Sequence, residues 1–266
     1  MDQFAELPTE DRDAPSGTQS LERAVAILRA VAATPGDGAR LADLVATTGL
    51  SKGTVRRLLA TLVREGLLDQ DGGSRRYRPG LELYALGLSA APRFGLPRLA
   101  VESVQRLAAL SHDTVFLQVP SGMEALCIQR EEGSFPIRTQ VMAAGDRFPL
   151  GIGAGSCALL AAHDDPEVER IVAANAPLVA QRYPRFTADF IRGLVAQARR
   201  DGYAFNDGQV VRDMCAIGVA VRNRRGEPVG ALSISAISPR MAPERRPELA
   251  AWLWAERDAL EARLGA

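Results

Sequence analysis

The chain is poor in the residues that build scaffolds, metal sites and nucleophiles. Its 266 residues include three cysteines and two histidines. Cys127, Cys157 and Cys215 are odd in number and tens of residues apart, a spacing that fits neither a disulfide framework nor a zinc site. With His112 and His163 as the only imidazoles and no Gly-x-Ser-x-Gly elbow, a serine triad has neither a visible base nor its nucleophile turn. No run reaches the roughly 18 uninterrupted apolar residues of a membrane span, and residues 1–19 lack the basic-then-apolar order of a secretory signal. A cytoplasmic protein with no membrane partner is expected. Net charge is also lacking: 32 basic residues balance 32 acidic ones, so the whole chain announces no polyanionic partner.

What is present is ordinary globular composition, 47% apolar and 24% charged, in a length that suits two domains better than one. The charge is unevenly spread. Residues 1–19 hold five acidic groups against Arg12, and with Pro8, Pro15 and Gly17 they are expected to form a disordered acidic arm. Residues 51–78 hold seven basic groups against three acidic ones, a local footprint for phosphates inside a neutral chain.

Periodicity organises the basic region. Leu21, Ala24, Val25, Leu28 and Val31 recur at helical spacing behind Ser20 as N-cap, with Pro35-Gly36 as the stop. A shorter amphipathic segment carries Leu41, Leu44 and Val45 up to Gly49, which suits a left-handed cap. Ser51 then caps a third helix with Val55, Leu58, Leu59, Leu62 and Val63 on one stripe. Residues 67–69 and 75–78 form two short strands around Asp71-Gly72-Gly73-Ser74. Three helices and a two-stranded wing make a winged helix-turn-helix. With its apolar stripe inward, the third helix turns Lys52, Thr54, Arg56 and Arg57 outward, where such a helix meets base edges in the major groove, and Ser51 stands at its leading end. Arg75, Arg76 and Arg78 on the wing are placed as phosphate contacts. The expected partner is double-stranded DNA, read as two half-sites by a dimer, because one module makes too few contacts for a specific site.

The sequence also resembles the IclR family of bacterial transcriptional regulators. The likeness sits in Leu21-Glu22-Arg23-Ala24-Val25-Ala26-Ile27-Leu28, in Leu41-Ala42-Asp43-Leu44 through Thr48-Gly49-Leu50-Ser51-Lys52, and in Arg57-Leu58-Leu59-Ala60-Thr61-Leu62 with Gly66-Leu67-Leu68. It extends through the second half, covering nearly all of residues 20–260. The resemblance implies a ligand-responsive regulator, an α+β protein in which the winged helix-turn-helix is joined by a linker helix to a GAF-like mixed α/β effector-binding domain. The boundaries are then an arm over 1–19, the DNA-binding domain over 20–80, the linker over 81–92 and the effector and oligomerisation domain over 93–266. The family further implies operator DNA, a small-molecule effector and self-association as dimers or dimers of dimers, joined partly through the DNA-binding and linker regions. No cofactor is expected.

Within the second half, helices are predicted over 99–110, 157–162, 167–174, 188–201 and 246–264, and strands over 114–119, 125–129, 137–141, 217–222 and 229–234. Gly151-Ile152-Gly153-Ala154-Gly155-Ser156 opens a helix, an arrangement that leaves backbone N–H groups free for an anion but equally fits a tight turn packed on a sheet. It lacks the P-loop lysine and the Rossmann spacing. The resemblance implies that Ala154, Gly155 and Ser156, together with Asn206, Cys215, Ser233 and Ser235, line a pocket for a small carboxylic or aromatic acid. Three departures stand out: Asn206, Gly208 and Gln209 occupy places where many members carry acidic residues, the segment before Cys215 is one residue shorter, and the family's proline after the cysteine-containing run is absent, with Val219 near that place. Taken alone, Ser233 and Ser235 share one face of a strand and fit a solvent-facing half or a pocket lining equally well, and Cys215 is a small buried apolar group bordering the pocket. Two other readings of the second half compete: a small-molecule enzyme with an appended helical domain, and a dimerisation scaffold that binds no ligand.

Overall fold

The structure is a computed structural model and describes residues 18–34, 36–90, 95–137 and 141–264. The acidic arm up to residue 17, the Pro35 stop and the end of the linker region at 91–92 lie outside the described residues. The chain divides into two compact units, Met1–Ala90 and Ala91–Ala266.

The first unit is built as its periodicities require. Helices α1 (Gln19–Ala32), α2 (Leu41–Thr48) and α3 (Lys52–Arg64) precede strands β1 (Leu68–Gln70) and β2 (Tyr77–Pro79) and helix α4 (Leu81–Ala90). Ile27 and Val31 of α1, Leu44 of α2, and Val55, Leu59 and Leu62 of α3 close over Leu68 and Tyr77 to form one core. Gly49 takes φ +66 in the α2–α3 turn, a backbone state that costs glycine nothing. Ser51 Oγ accepts from Thr54 N at 3.2 Å and caps α3. Helix α1 starts one residue before the Ser20 expected to cap it.

In the second unit, six strands form one antiparallel sheet in the order β5-β4-β3-β8-β7-β6. They are β3 (Thr114–Ser121), β4 (Glu124–Glu131), β5 (Arg147–Pro149), β6 (Ala204–Val211), β7 (Met214–Arg222) and β8 (Pro228–Ile237). Helices α5 (Gly95–Ser111) and α9 (Arg246–Leu264) cover one face through Leu107, Leu253 and Leu260. Helices α6 (Ala154–Ala161), α7 (Asp165–Arg182) and α8 (Ala188–Asp201) lie on the other. Period-two alternation sorts β7 cleanly: Cys215, Ile217, Val219 and Val221 face α5 and α9, which leaves Ala216, Gly218 and Ala220 toward α6.

Several elements differ from the expectations, each for a local reason. Helix α5 begins at Gly95 and takes Pro97 into its first turn, where the missing N–H has no intrahelical acceptor anyway. Helix α7 runs past Ala174 and through Pro177 to Arg182 because Val179 continues the buried row of Val168, Ile171 and Val172. Strand β6 was not predicted, since Asp207 and Gly208 break its apolar alternation and its pairing with β7 is interrupted between Asp207 and Val211. Ile137 and Val141, the ends of a predicted strand, are bends, while 138–140 lie outside the described residues; the edge strand here is β5. Among the described residues no helix is long and apolar enough to cross a membrane.

A buried carboxylate ties the two ends of the second unit together. Asp113, at the α5–β3 junction, accepts from Arg240 at 2.7 and 3.1 Å and from Arg245 at 2.8 Å, and both guanidinium groups also bond Ser111 O. Removing one partner of such a buried cluster strands the others. Asp113→Ala is expected to cost about 3–5 kcal/mol, measured as a lower denaturant midpoint at unchanged m-value. A loss within ~0.5 kcal/mol, as for an ordinary surface substitution, would show that the cluster holds nothing together.

Candidate functional site

The first unit presents a cationic face. Because Val55, Leu59 and Leu62 are consumed by the core, α3 exposes Lys52, Arg56, Arg57 and Arg64 on its opposite side. Arg64 is drawn to Glu65 at 3.0 Å. Thr54 is half-buried, and its hydroxyl lies 2.9 Å from that of Ser51. The Ser51 hydroxyl thus serves the helix end, fixing the approach of α3.

The wing arginines are not equivalent. At the turn, Asp71 Oδ1 accepts from the Ser74 backbone and hydroxyl, both at 2.6 Å, and these two bonds hold its carboxyl below the ordinary range. Arg75 follows at φ +56 with an exposed side chain. Arg76, by contrast, is half-buried and donates to Gly38 O at 2.8 Å, and Arg78 donates to Asp37 O at 3.2 Å. The structure therefore uses these two to fasten the wing to the α1–α2 connection, beside the Ala39–Tyr77 bridge. Gly38 permits this close approach: a Cβ there would lie 2.6 Å from Tyr77 O.

The second unit contains a cavity of about 460 Å³, counting its open mouth, between the sheet and the start of α6. Its existence depends on missing side chains. A Cβ on Gly218 would stand 3.0 Å from the Ala154 carbonyl carbon, so glycine lets the first turn of α6 settle on the sheet. A Cβ on Gly155 would stand 1.9 Å from Gln118 Oε1 and 3.3 Å from Ser233 Oγ. The unpaired N–H groups and positive end of α6 are thereby brought to the cavity.

Of the seven residues proposed from sequence, Ala154, Gly155, Asn206, Ser233 and Ser235 line this cavity and Ser156 and Cys215 do not. The Ser156 hydroxyl turns back to Ile152 O and to Gly153 O. Cys215 belongs to the opposite face of the sheet, where its sulfur lies 3.3 Å from Ser238 Oγ and 3.6 Å from Asp207 Oδ1; its neighbour Ala216 faces the cavity instead. Ser233 and Ser235 are 3% and 5% exposed, which removes the solvent-facing reading. Sequence reasoning missed several other lining residues, among them Phe116 and Gln118 on β3, Met142, Phe148 and Met214. Gln118 carried a signal, a lone amide in the middle of an apolar strand.

The thiols are not built as nucleophiles. Burial pushes Cys127 and Cys157 up to about 12, and it raises Cys215 as well, so all three stay protonated at neutral pH. His112 Nδ1 lies 2.7 Å from Ser134 Oγ on the surface. Among the described residues no group of three metal-ligating side chains comes together.

Comparison with known proteins fits both units. Residues 20–72 match the IclR helix-turn-helix domain and residues 89–260 match the family described as bacterial transcriptional regulator IclR C-terminal. The glycerol operon regulatory protein of Streptomyces coelicolor is 32% identical over 238 residues, 88% of this chain and 91% of that protein. The solved structure of an IclR regulator from Alicyclobacillus acidocaldarius superposes with a TM-score of 0.76 at 23% identity, over 92% of this chain and 98% of that one. An IclR homologue from Microbacterium hydrocarbonoxydans, solved as a complex with 4-hydroxybenzoate, gives 0.74 at 22% identity over the same shares. The chain belongs to the IclR family of bacterial transcriptional regulators.

Proposed function

We propose that this regulator, acting in the cytoplasm, binds a duplex operator as a homodimer and releases or retains it according to whether a small organic acid fills the cavity beside α6. The observation that carries the DNA half is the single exposed face of a capped helix bearing Lys52, Arg56 and Arg57. Guanidinium groups there suit guanine edges, and the exposed Arg75 at the wing turn suits a neighbouring phosphate. Arg76 and Arg78 contribute by holding the wing in place, and Ser51 by fixing the helix end.

Self-association is supported by α4. None of its side chains is buried within its own unit, and Leu81, Tyr84, Leu86 and Leu88 are all more than half exposed. An apolar helix open to water on this scale needs a cover, and a second copy of the same helix supplies one by two-fold symmetry. The effector half is supported by the α6 terminus, by the apolar walls Phe116, Phe148 and Met142, and by the acid bound to the Microbacterium relative. Such a ligand acts on DNA binding only through unequal affinity for the competent and incompetent arrangements. The relatives act as transcriptional regulators, and the chain is a receptor of this kind and not an enzyme.

Four measurements test this reading. Arg56→Ala and Arg57→Ala are each expected to cost about 1–3 kcal/mol on the cognate operator and to relax preference at one base pair; an equal loss on random DNA reassigns that arginine to phosphate. Arg75→Ala should lower the slope of log K against log salt by about one unit, whereas Arg76→Ala should also lower the melting temperature; an unchanged slope removes the wing tip from the interface. Tyr84→Glu combined with Leu88→Glu should convert the dimer to monomer in sedimentation, and a dimer that persists places the interface elsewhere. For the effector, Gly155→Asp should abolish the response to organic acids and leave DNA affinity intact; a full response moves the anion site away from α6.

A further inference from the structure

Helix α4 belongs to the first unit, yet its side chains do little to say where it points. None of them is buried within that unit, and of its ten residues only Leu83 is half-buried. Its backbone is what holds it. Helix α3 ends in a Schellman cap, in which Leu67 N donates to Leu62 O at 2.9 Å and Gly66 N to Val63 O at 3.0 Å, with Gly66 at φ +69. The same cap receives α4. Gly80 N donates to Leu67 O at 2.9 Å, one pair beyond the Leu68–Pro79 end of the β1–β2 ladder, and Glu82 N, in the first turn of α4, donates to Gly66 O at 3.2 Å. The carbonyl that closes α3 thus satisfies a donor that a helix start otherwise leaves to water.

Gly80 is what lets the two helix ends come this close. It is buried, and a Cβ there would overlap the Gly66 carbonyl oxygen and stand 3.0 Å from the Leu67 carbonyl carbon. These neighbours are backbone atoms, so none can turn aside as a side chain would. The φ of Gly80 lies outside the left-handed region. Alanine there meets no backbone strain, and its added methyl group acts by pushing the end of α3 and the start of α4 apart.

A small angular change at this joint is large at the DNA. Helix α3 has 13 residues, about 20 Å of length, so a swing of about 10° around its Gly66 end moves its leading end by roughly 3.5 Å, one base-pair step. Two heads joined through their α4 helices match half-sites of fixed separation only if that angle is held.

We infer that the contact of Gly80 with Gly66 is the positioning element that locks α3 to α4 as one body, and that it thereby sets the half-site spacing this protein accepts. The inference rests on the homodimer reading above, in which α4 meets a second copy. Its test uses the full-length protein and the footprinted DNA upstream of its own gene, unaltered and with one or two base pairs inserted or deleted between the protected half-sites. Wild-type affinity should fall about tenfold or more at each altered spacing. Gly80→Ala should remain a dimer in sedimentation and bind random duplex within about twofold of wild type, yet vary less than about threefold across the spacing series. Gly66→Asn, which suits a left-handed position and keeps the carbonyl in place, should retain the wild-type profile.

A second measurement keeps Gly80 intact. All three native cysteines are buried, so spin labels go to introduced ones: Arg64→Cys with Ser89→Cys across the joint, and Lys52→Cys with Arg64→Cys within α3 as the reference pair. With labelled protein diluted into unlabelled protein, the pair across the joint should give a distance distribution as narrow as the reference. A distribution much broader than the reference, a sharp spacing preference that survives Gly80→Ala, or a Gly66→Asn profile as flat as that of Gly80→Ala would each overturn the joint and leave the dimer standing. A wild-type monomer overturns the dimer reading and the spacing claim with it.

Discussion

Everything the sensor half does depends on the direct seating of a helix end on a β-sheet. The first turn of α6 rests on Gly218, where a Cβ would stand only 3.0 Å from the Ala154 carbonyl carbon, and Gly155 makes room for Gln118 and Ser233 on the neighbouring strands. That close approach aims unpaired backbone donors at a cavity. A side chain at Gly218 would press on the backbone of that turn, and one at Gly155 would displace the Gln118 amide. The network of Asp113, Arg240 and Arg245 plays a complementary part: it pins the start of β3, whose Phe116 and Gln118 face the cavity, to the segment that leads into α9.

The DNA-binding half rests on an analogous economy of side chains. Gly38 allows Tyr77 to pair with Ala39, and Arg76 and Arg78 bond the same connection, so wing and helices form one body. Charge is thereby divided by task. Two wing arginines hold the scaffold, while Arg75, Lys52, Arg56 and Arg57 stay exposed for a partner of opposite sign. The whole-chain neutrality conceals this, since the surplus is local to residues 51–78.

Much of the architecture was legible in the sequence, because three-helix periodicity, the Ser51 cap, the Gly49 turn and the glycine hairpin all state one answer locally. Helix α8 and helix α9 were predicted at their observed limits for the same reason. The site was legible only in part. Asn206, Ser233 and Ser235 were found, but Cys215 was assigned to the cavity although the alternation of β7 turns it to the other face, a distinction that needs the strand register. Ser156 was assigned from its place in a glycine-rich loop, yet a serine in the first turn of a helix finds a backbone acceptor nearer than any ligand. Gln118 was missed because its role arises from a partner, Gly155, far away in sequence. Arg76 was grouped with its neighbours by charge alone, and only the fold shows that its guanidinium is already engaged.

The account is tested most directly by DNase I footprinting of the purified protein on the intergenic DNA upstream of its own gene. Two protected half-sites, their centres about 10 base pairs or a multiple of that apart, are expected from a symmetric pair of heads each laying α3 in the major groove. Uniform cleavage at protein concentrations that saturate non-specific binding, or a single unpaired protected patch, would contradict it.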